Sequence, residues 1–234
     1  ALRAIDWRRS ARSDGHFVRQ TEWQAAQSVM IGVDDSASMT FTGSAKRPSK
    51  LRRAQTLGMA IAILAVHGGE RVGLTHLTDP PRGGRVQLLR MAQAMMDGHE
   101  EGDYGAPRPK ALPVGSRAVF FSDFLGNPAP IEQVLGRAAD RGVKGALVQV
   151  LDPDEEAFPY DGRTVFESMS GAIRFETLRA KSLRDEYLAR LAERKDRLRQ
   201  AARRTGWRYH VHHTDQSAEP ALLWLYRALE KVRT

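Results

Sequence analysis

Short apolar runs alternate along this chain with longer segments in which apolar residues recur at helical spacing. Residues 28–33, Ser-Val-Met-Ile-Gly-Val, are short, apolar and β-branched, and they predict a buried strand. From Lys50 to His67 apolar residues recur every three or four positions, which predicts an amphipathic helix that Gly68 and Gly69 end. The alternation continues and predicts four more strands, at residues 71–77, 117–122, 145–151 and 207–213.

Each predicted helix has one apolar face that we expect to pack on the core. These faces carry Leu51, Ala54, Leu57, Ile61 and Leu64; then Val86, Leu89, Ala92, Met95 and Met96; then Leu183, Tyr187, Leu191 and Leu198 in a long helix at 178–204; and finally Leu222, Leu223, Tyr226 and Leu229 in a closing helix at 217–232. Another helix is predicted at 131–141, and residues 165–167 and 173–175 predict a small inserted hairpin.

Five strands that alternate with helices predict an α/β fold. We expect a doubly wound, mostly parallel sheet with helices on both faces. Residues 99–114 are rich in glycine, proline and charge, and they predict a surface loop outside the core. Ligands of such sheets bind beyond the carboxyl ends of the strands, so the ends of 28–33 and 117–122 are the expected site.

Composition limits the classes of function. The 234 residues are 41% apolar, which is enough for a core, and the chain has no cysteine, which excludes disulfides and thiolate sites and is compatible with the cytoplasm. Neither a membrane span nor a secretory signal is visible in the sequence. The net charge of +8 favours anionic partners, but many basic residues alternate with acidic ones and aromatic residues are sparse, so we expect no dedicated nucleic-acid surface.

Polar residues with metal-binding oxygens follow two of the predicted strands. Asp34, Ser36 and Ser38 come directly after the first strand, and Asp123 follows the strand at 117–122. One carboxylate and two hydroxyls on alternate residues of a tight loop suit Mg²⁺ or Mn²⁺. Serine and aspartate after a strand are also common in turns and helix caps, so the pattern alone leaves both interpretations open.

The arrangement resembles the von Willebrand factor A fold with its metal-ion-dependent adhesion site. Nearly the whole chain also resembles the domain-of-unknown-function family fifty-eight, in the segments Arg3-x-Ile5-Asp6-Trp7, Val18-Arg19-Gln20-x-Glu22-Trp23, Asp34-Asp35-Ser36-x-Ser38-Met39, Lys50, Glu70-Arg71-Val72-Gly73-Leu74 and Asp152-Pro153-x-Glu155. Members of that family usually begin further upstream, so we expect this chain to be a piece of a longer protein. We expect residues 1–27 to form an extended segment that packs on a domain of residues 28–234.

The resemblance implies a divalent cation held by Asp34, Ser36 and Ser38, with Asp123 acting directly or through water. An acidic side chain of a partner would complete the coordination. The superfamily's loop threonine is missing where this chain has Gly83-Gly84-Arg85, and Thr75 and Thr78 lie earlier, on or beside the strand. The Arg85 guanidinium is therefore an alternative source of positive charge for the carboxylates.

The resemblance also implies a protein partner. Family members are typically encoded beside MoxR-type AAA+ ATPases, which implies an adaptor that couples such an ATPase to a client protein. The chain itself lacks the glycine-rich phosphate loop of an ATPase. We therefore expect a non-enzymatic, cytoplasmic interaction domain.

Other interpretations compete with this one. A cation between two carboxylates can activate water, so a metal-dependent hydrolase at Asp34 and Asp123 is the main alternative, and a basic nucleic-acid-binding protein is another. For three further sets of residues we favour structural roles over functional ones: the histidines His210, His212 and His213; the pair Asp152 and Glu155, which follows a strand; and the cluster Asp6, Trp7, Arg8 and Arg12, which we expect to tether the N-terminal segment.

Overall fold

The computed structural model describes residues 26–98, 102–110, 112–162, 164–167, 174–177 and 180–230. Five strands form a parallel sheet in the order β2-β1-β3-β4-β7. These strands are β1 (Ser28–Val33), β2 (Arg71–Leu74), β3 (Arg117–Ser122), β4 (Lys144–Leu151) and β7 (Arg208–His213). The predicted parallel sheet and its five strands are therefore confirmed, and β1 and β3, which precede the two candidate site segments, are neighbours.

Six α-helices lie between and after the strands in the described residues. They are α1 (Lys50–His67), α2 (Arg85–Asp97), α3 (Ala129–Asp140), α4 (Pro153–Ala157), α5 (Ala180–Arg204) and α6 (Ala218–Leu229). The predicted hairpin is also present, as the antiparallel pair β5 (Thr164–Glu167) and β6 (Arg174–Thr177). None of the helices in the described part of the chain combines the length and apolar character needed to cross a bilayer.

Each face of the sheet is covered by its own hydrophobic core. Successive side chains of β1 point to opposite faces. Ile31 therefore belongs to the core under α1, α2 and α6, and Met30 to the core under α3 and α5. Helices on both faces confirm the doubly wound α/β class.

The inward faces of two helices differ from the prediction. Val86, Leu89 and Met96 of α2 are 64, 61 and 69% exposed, and the helix buries Gln87, Met91 and Met95. The Gln87 side-chain amide donates to the backbone carbonyl of Val72 in β2 at 3.0 Å, and this bond fixes the rotation of α2 with a polar residue inward. In α6, likewise, Leu223 and Tyr226 are exposed while Ala221, Leu225 and Leu229 are buried.

The predicted N-terminal segment, residues 1–27, lies almost entirely outside the described residues. The tethering role expected of Asp6, Trp7, Arg8 and Arg12 therefore stays a prediction. The division of the chain at residue 28 stays one as well.

Candidate functional site

Asp34, Ser36 and Ser38 form a buried loop at the carboxyl end of β1. The backbone N–H of Asp34 donates to the carbonyl of Phe121 in β3 at 2.9 Å, which ties the loop to the neighbouring strand. The Ser36 and Ser38 hydroxyl oxygens are 3.4 Å apart, and a 3₁₀ helix at Ala37–Thr40 carries the chain away. Asp34, Ser36 and Ser38 are 8, 1 and 7% exposed. The structure thus brings these three predicted residues together.

The Asp34 carboxylate is held by neutral donors. The Ser122 hydroxyl donates to Oδ2 at 2.5 Å and the Ser36 backbone N–H donates to Oδ1 at 3.0 Å. Burial raises the pKa of Asp34, although the hydrogen bonds from Ser122 and Ser36 oppose it. No lysine or arginine among the described residues forms an ion pair with this carboxylate. Asp34 is thus a buried carboxylate without a counter-charge in the described part of the chain.

The Asp123 carboxylate is paired with the ammonium group of Lys50. Lys50 Nζ donates to Asp123 Oδ2 at 2.8 Å and to Glu155 Oε1 at 2.6 Å. The Lys50 side chain is fully buried and that of Asp123 is 1% exposed. The second oxygen of Asp123 accepts the Leu125 backbone N–H at 3.0 Å. Lys50, which the family resemblance included but the metal-site prediction did not use, therefore lies at the centre of the site.

Local structure places Lys50 and Glu155 for this contact. The Ser49 side chain caps α1 by accepting the Arg52 N–H, so Lys50 is the first helical residue and its side chain can reach back to the sheet edge. Glu155 belongs to a capping box at the start of α4, in which its Oε2 accepts the Asp152 backbone N–H at 2.8 Å. One oxygen of Glu155 is thus fixed by backbone and the other is left for Lys50.

Asp152 has the structural role that we favoured. Its carboxylate accepts from the Asp154 backbone N–H at 3.0 Å and from the Thr214 hydroxyl at 3.1 Å. It also pairs with Arg47 at 3.0 Å. Glu155, by contrast, binds the Lys50 ammonium as well as the helix cap, so the purely structural role that we favoured for it is incomplete.

Opposite charges keep the Lys50 ammonium protonated. Burial by itself lowers the pKa of Lys50, but the charges of Asp123 and Glu155 and the hydrogen bonds to them outweigh it, so the pKa is raised. The ring of Phe41 also faces the ammonium, with its centroid 5.7 Å from Nζ. Lys50 is therefore an enclosed ammonium group with two carboxylates as counter-charges.

Residues 102–105 cover the serine loop. The carbonyls of Gly102 and Asp103 accept the backbone N–H groups of Ala37 and Ser38 at 3.1 and 2.8 Å. A methyl group at Gly105 would overlap the Asp34 carboxylate, so the backbone approaches this side chain closely. The predicted surface loop is thus part of the site, and Leu112 near its end is buried, contrary to expectation.

The expectation for Arg85 is wrong. Arg82 pairs with Val72 in an isolated bridge, and Gly83 lies beside the carbonyl of Glu70, so this segment is at the amino end of β2. The candidate site is at the opposite, carboxyl end of the sheet. Arg85 begins α2 with an exposed side chain, and the cation near Asp123 is Lys50 instead.

Thr75 is closer to the site than Arg85. It is 4% exposed at the end of β2. With Asp34 and His76 it lines a cavity of about 40 Å³, roughly the space of one water molecule. From the sequence we placed Thr75 on or beside this strand and did not assign it the position of the missing loop threonine.

Of the four residues predicted to hold a divalent cation, three are grouped and the fourth is engaged by another side chain. Asp34, Ser36 and Ser38 are grouped, but Asp123 already binds the Lys50 ammonium and the Leu125 N–H. Among the described residues, no group of three or more histidine, aspartate or glutamate side chains is placed to hold a metal ion. The divalent cation stays a prediction, and its second carboxylate is not free.

The three histidines of β7 have separate structural contacts. The His210 ring stacks on Trp224 with centroids 4.7 Å apart, and His212 Nε2 is 3.3 Å from Arg53. His213 Nε2 is 2.7 Å from a Glu156 oxygen. These contacts agree with the structural interpretation of the three residues.

Comparisons with known proteins identify a family and a fold. A family model described as "Protein of unknown function DUF58" matches residues 1–197. An aerotolerance-related membrane protein from Bacteroides fragilis, with multiple mutations to serines, is similar in structure, with a TM-score of 0.50 and 12% identity over 87% of this chain and 98% of that chain.

The conserved hypothetical protein BatB from Bacteroides thetaiotaomicron matches over the same shares of the two chains, with a TM-score of 0.49 and 14% identity. At 12% identity, the similarity to the Bacteroides fragilis protein is evidence for a shared fold and not for a shared function. No functionally curated protein is significantly similar in sequence.

Proposed function

We propose that this chain, which belongs to the DUF58 family of proteins of unknown function, is a non-enzymatic domain that binds a protein partner at the carboxyl edge of its sheet. The proposed partner is a MoxR-type AAA+ ATPase, which the domain couples to a client protein on the cytoplasmic side. The resemblance to von Willebrand factor A-like adhesion domains supports this role. The absence of cysteine is compatible with that location.

Tyr104 is the observation that carries the proposal. It belongs to the segment that covers the serine loop, and its side chain is 52% exposed. Burial and the nearby charge of Asp123 raise the pKa of Tyr104, which indicates that its hydroxyl is close to the charged site. A half-buried tyrosine on a loop held to a rigid sheet edge is a typical anchor for a protein partner.

A basic groove continues from the same loop. It has a volume of about 380 Å³ and lies between residues 107–112 and α3. Its charged lining residues are Arg108, Lys110, Arg137 and Arg141, and no acidic side chain of the described residues lines it. Positive charge around a concave surface favours an acidic partner and accelerates association at low salt. We therefore propose that the partner presents acidic residues beside the surface that receives Tyr104.

Binding between this chain and a MoxR-type AAA+ ATPase tests the proposal. Tyr104→Ala is expected to weaken binding tenfold or more, as is typical of an anchoring aromatic residue. Tyr226→Ala is the matched control, because Tyr226 is 53% exposed but belongs to α6. Binding should also weaken with added salt, and less so after Arg108→Gln and Lys110→Gln.

Two results would contradict the proposal in different ways. If wild-type protein does not bind the ATPase, the proposed partner is wrong. Equal binding by Tyr104→Ala and Tyr226→Ala would instead leave the partner and remove the carboxyl edge as its site.

A further inference from the structure

We infer that the Lys50 ammonium is the resident cation of this site and takes the place that a divalent metal has in related adhesion sites. The wild-type chain would then bind no Mg²⁺ or Mn²⁺ between Asp34 and Asp123. The charge arrangement belongs to the chain alone and does not depend on the proposed partner.

The first support is the position of the ammonium. Lys50 Nζ is 2.8 Å from Asp123 and 2.6 Å from Glu155, at the edge where the loop of Asp34 and the end of β3 meet. A divalent ion that used Asp123 would lie close to this ammonium. Repulsion between the two positive charges would oppose binding, and the burial of these side chains limits screening by solvent.

The second support is that moving the Lys50 ammonium out of the site would leave the Asp123 and Glu155 carboxylates unpaired. Its side chain is fully buried, and those of Asp123 and Glu155 are 1 and 12% exposed. Removing one member of a buried ion pair leaves an uncompensated charge in a poorly hydrated site. The backbone bonds from Leu125 to Asp123 and from Asp152 to Glu155 hold both carboxylates in place around the ammonium.

The third support is the contrast with Asp34. This carboxylate keeps the two serine hydroxyls beside it and has no cationic partner among the described residues. If Lys50 lost its charge, Asp34 and Asp123 would both be available to an ion at the joined ends of β1 and β3. The site therefore contains most of a metal centre, with a lysine where the ion would act.

Replacing the ammonium by a neutral side chain of similar length tests the inference. We would titrate Mn²⁺ into metal-stripped wild-type chain and into Lys50→Met by calorimetry, and record the melting temperature of each with Mn²⁺ and with chelator. Wild type is expected to bind no Mn²⁺ saturably and to melt at the same temperature in both. Lys50→Met is expected to bind at least tenfold more tightly than wild type and to melt higher with Mn²⁺.

Two further variants separate charge from folding. Lys50→Met combined with Glu155→Gln removes one unpaired carboxylate, so it tests binding if Lys50→Met alone folds poorly. Lys50→Arg keeps the positive charge and should bind no Mn²⁺. Binding gained by the Met variants should disappear when Asp123→Asn is added.

Either of two results would overturn the inference. Saturable Mn²⁺ binding by wild type that Asp34→Ala abolishes would show that the metal and Lys50 coexist. Absence of Mn²⁺ binding in both Met variants would show that the ammonium is a structural ion-pair partner only.

Discussion

Two carboxylates at neighbouring strand ends, Asp34 and Asp123, are stabilised in different ways. Both are buried, at 8 and 1% exposure, and both follow strands that pair with each other. Asp34 is held by the Ser122 hydroxyl and the Ser36 N–H, which are neutral, whereas Asp123 is held by the Lys50 ammonium. Two carboxylates at equivalent positions of the sheet edge therefore differ in charge environment, because the counter-charge of Asp123 comes from Lys50, which is distant in sequence.

This difference determines what each carboxylate contributes. A neutral hydrogen bond contributes about 1 kcal/mol to stability, while breaking a buried ion pair by removing one partner costs about 3–5 kcal/mol. Asp123 is thus expected to contribute more to the stability of the domain than Asp34 does. Asp34 is the carboxylate that can still gain a ligand.

The largest effect is expected for Asp123→Asn. The amide has the size of the carboxylate but no charge, so Lys50 is left with Glu155 alone. We expect the free energy of unfolding to fall by about 3 kcal/mol. Urea unfolding followed by circular dichroism measures it.

Asp34→Asn is the matched control, and its expected loss is about 1 kcal/mol or less. It keeps the shape and removes a charge that has no opposite charge in the described part of the chain. Equal losses for the two variants would mean that the Lys50 pair adds no more stability than the neutral contacts.

An intermediate effect is expected for Gly105→Ala. The added methyl group would overlap the Asp34 carboxylate, which the Ser122 hydroxyl and the Ser36 N–H hold in place, so we expect residues 102–105 to move away from the serine loop. We expect a loss of about 2 kcal/mol, together with faster hydrogen exchange at the Ala37 and Ser38 amides. The ion pair between Lys50 and Asp123 should be unaffected by Gly105→Ala, so this variant perturbs the surroundings of Asp34 alone.

Gly136→Ala is the control for this variant. Gly136 lies inside α3 with open space around it, so alanine should be neutral or slightly stabilising there. Unchanged exchange at Ala37 and Ser38 in Gly105→Ala would contradict the close contact between residues 102–105 and the site.

The smallest effect is the loss of stability at low pH that His212 causes, which is distinct from any loss caused by protonation of the carboxylates. Burial and the adjacent Arg53 lower the pKa of His212 to about 4, and His210 and His213 add to this while Asp215 opposes it. The unfolded chain takes up a proton near pH 6.5 but the folded chain does not. The stability that His212 contributes is therefore complete above about pH 6.5 and is lost as the pH falls towards 4.

Unfolding measured from pH 7 to pH 4.5 tests this. Between pH 7 and pH 4.5 the free energy of unfolding should decrease by about 1 kcal/mol less in His212→Gln than in wild type, a value reduced for solvent screening of the charges. His67→Gln should leave the profile unchanged, because His67 is exposed at the end of α1. Identical profiles for all three proteins would rule out His212 as the acid-sensitive group and leave the carboxylates to account for the loss.

The sheet was predictable because its strands carry their own signal. Residues 28–33 and 117–122 are short, β-branched or aromatic runs, and the structure has both strands with the predicted bounds. Asp34, Ser36, Ser38 and Asp123 could be placed at one edge because parallel strands end on the same side.

Lys50 and the rotation of α2 were not predictable from local pattern. A lysine at the start of an amphipathic helix normally lies in solvent, and Lys50 is buried only because Asp123 and Glu155 lie beside it in space. In α2 the apolar stripe of Leu88, Met91 and Met95 packs inward instead of Val86, Leu89 and Met96, and the bond from Gln87 to the Val72 carbonyl supports that rotation. Tertiary contacts decided both features.

The contacts of Lys50 also bear on the order of folding. They join residues that are 73 and 105 positions apart in sequence, so they form only after β3 and β4 have paired in the sheet. Until then the ammonium is hydrated and the carboxyl edge is incomplete. A partner that binds this edge would therefore distinguish a finished domain from a partly folded chain.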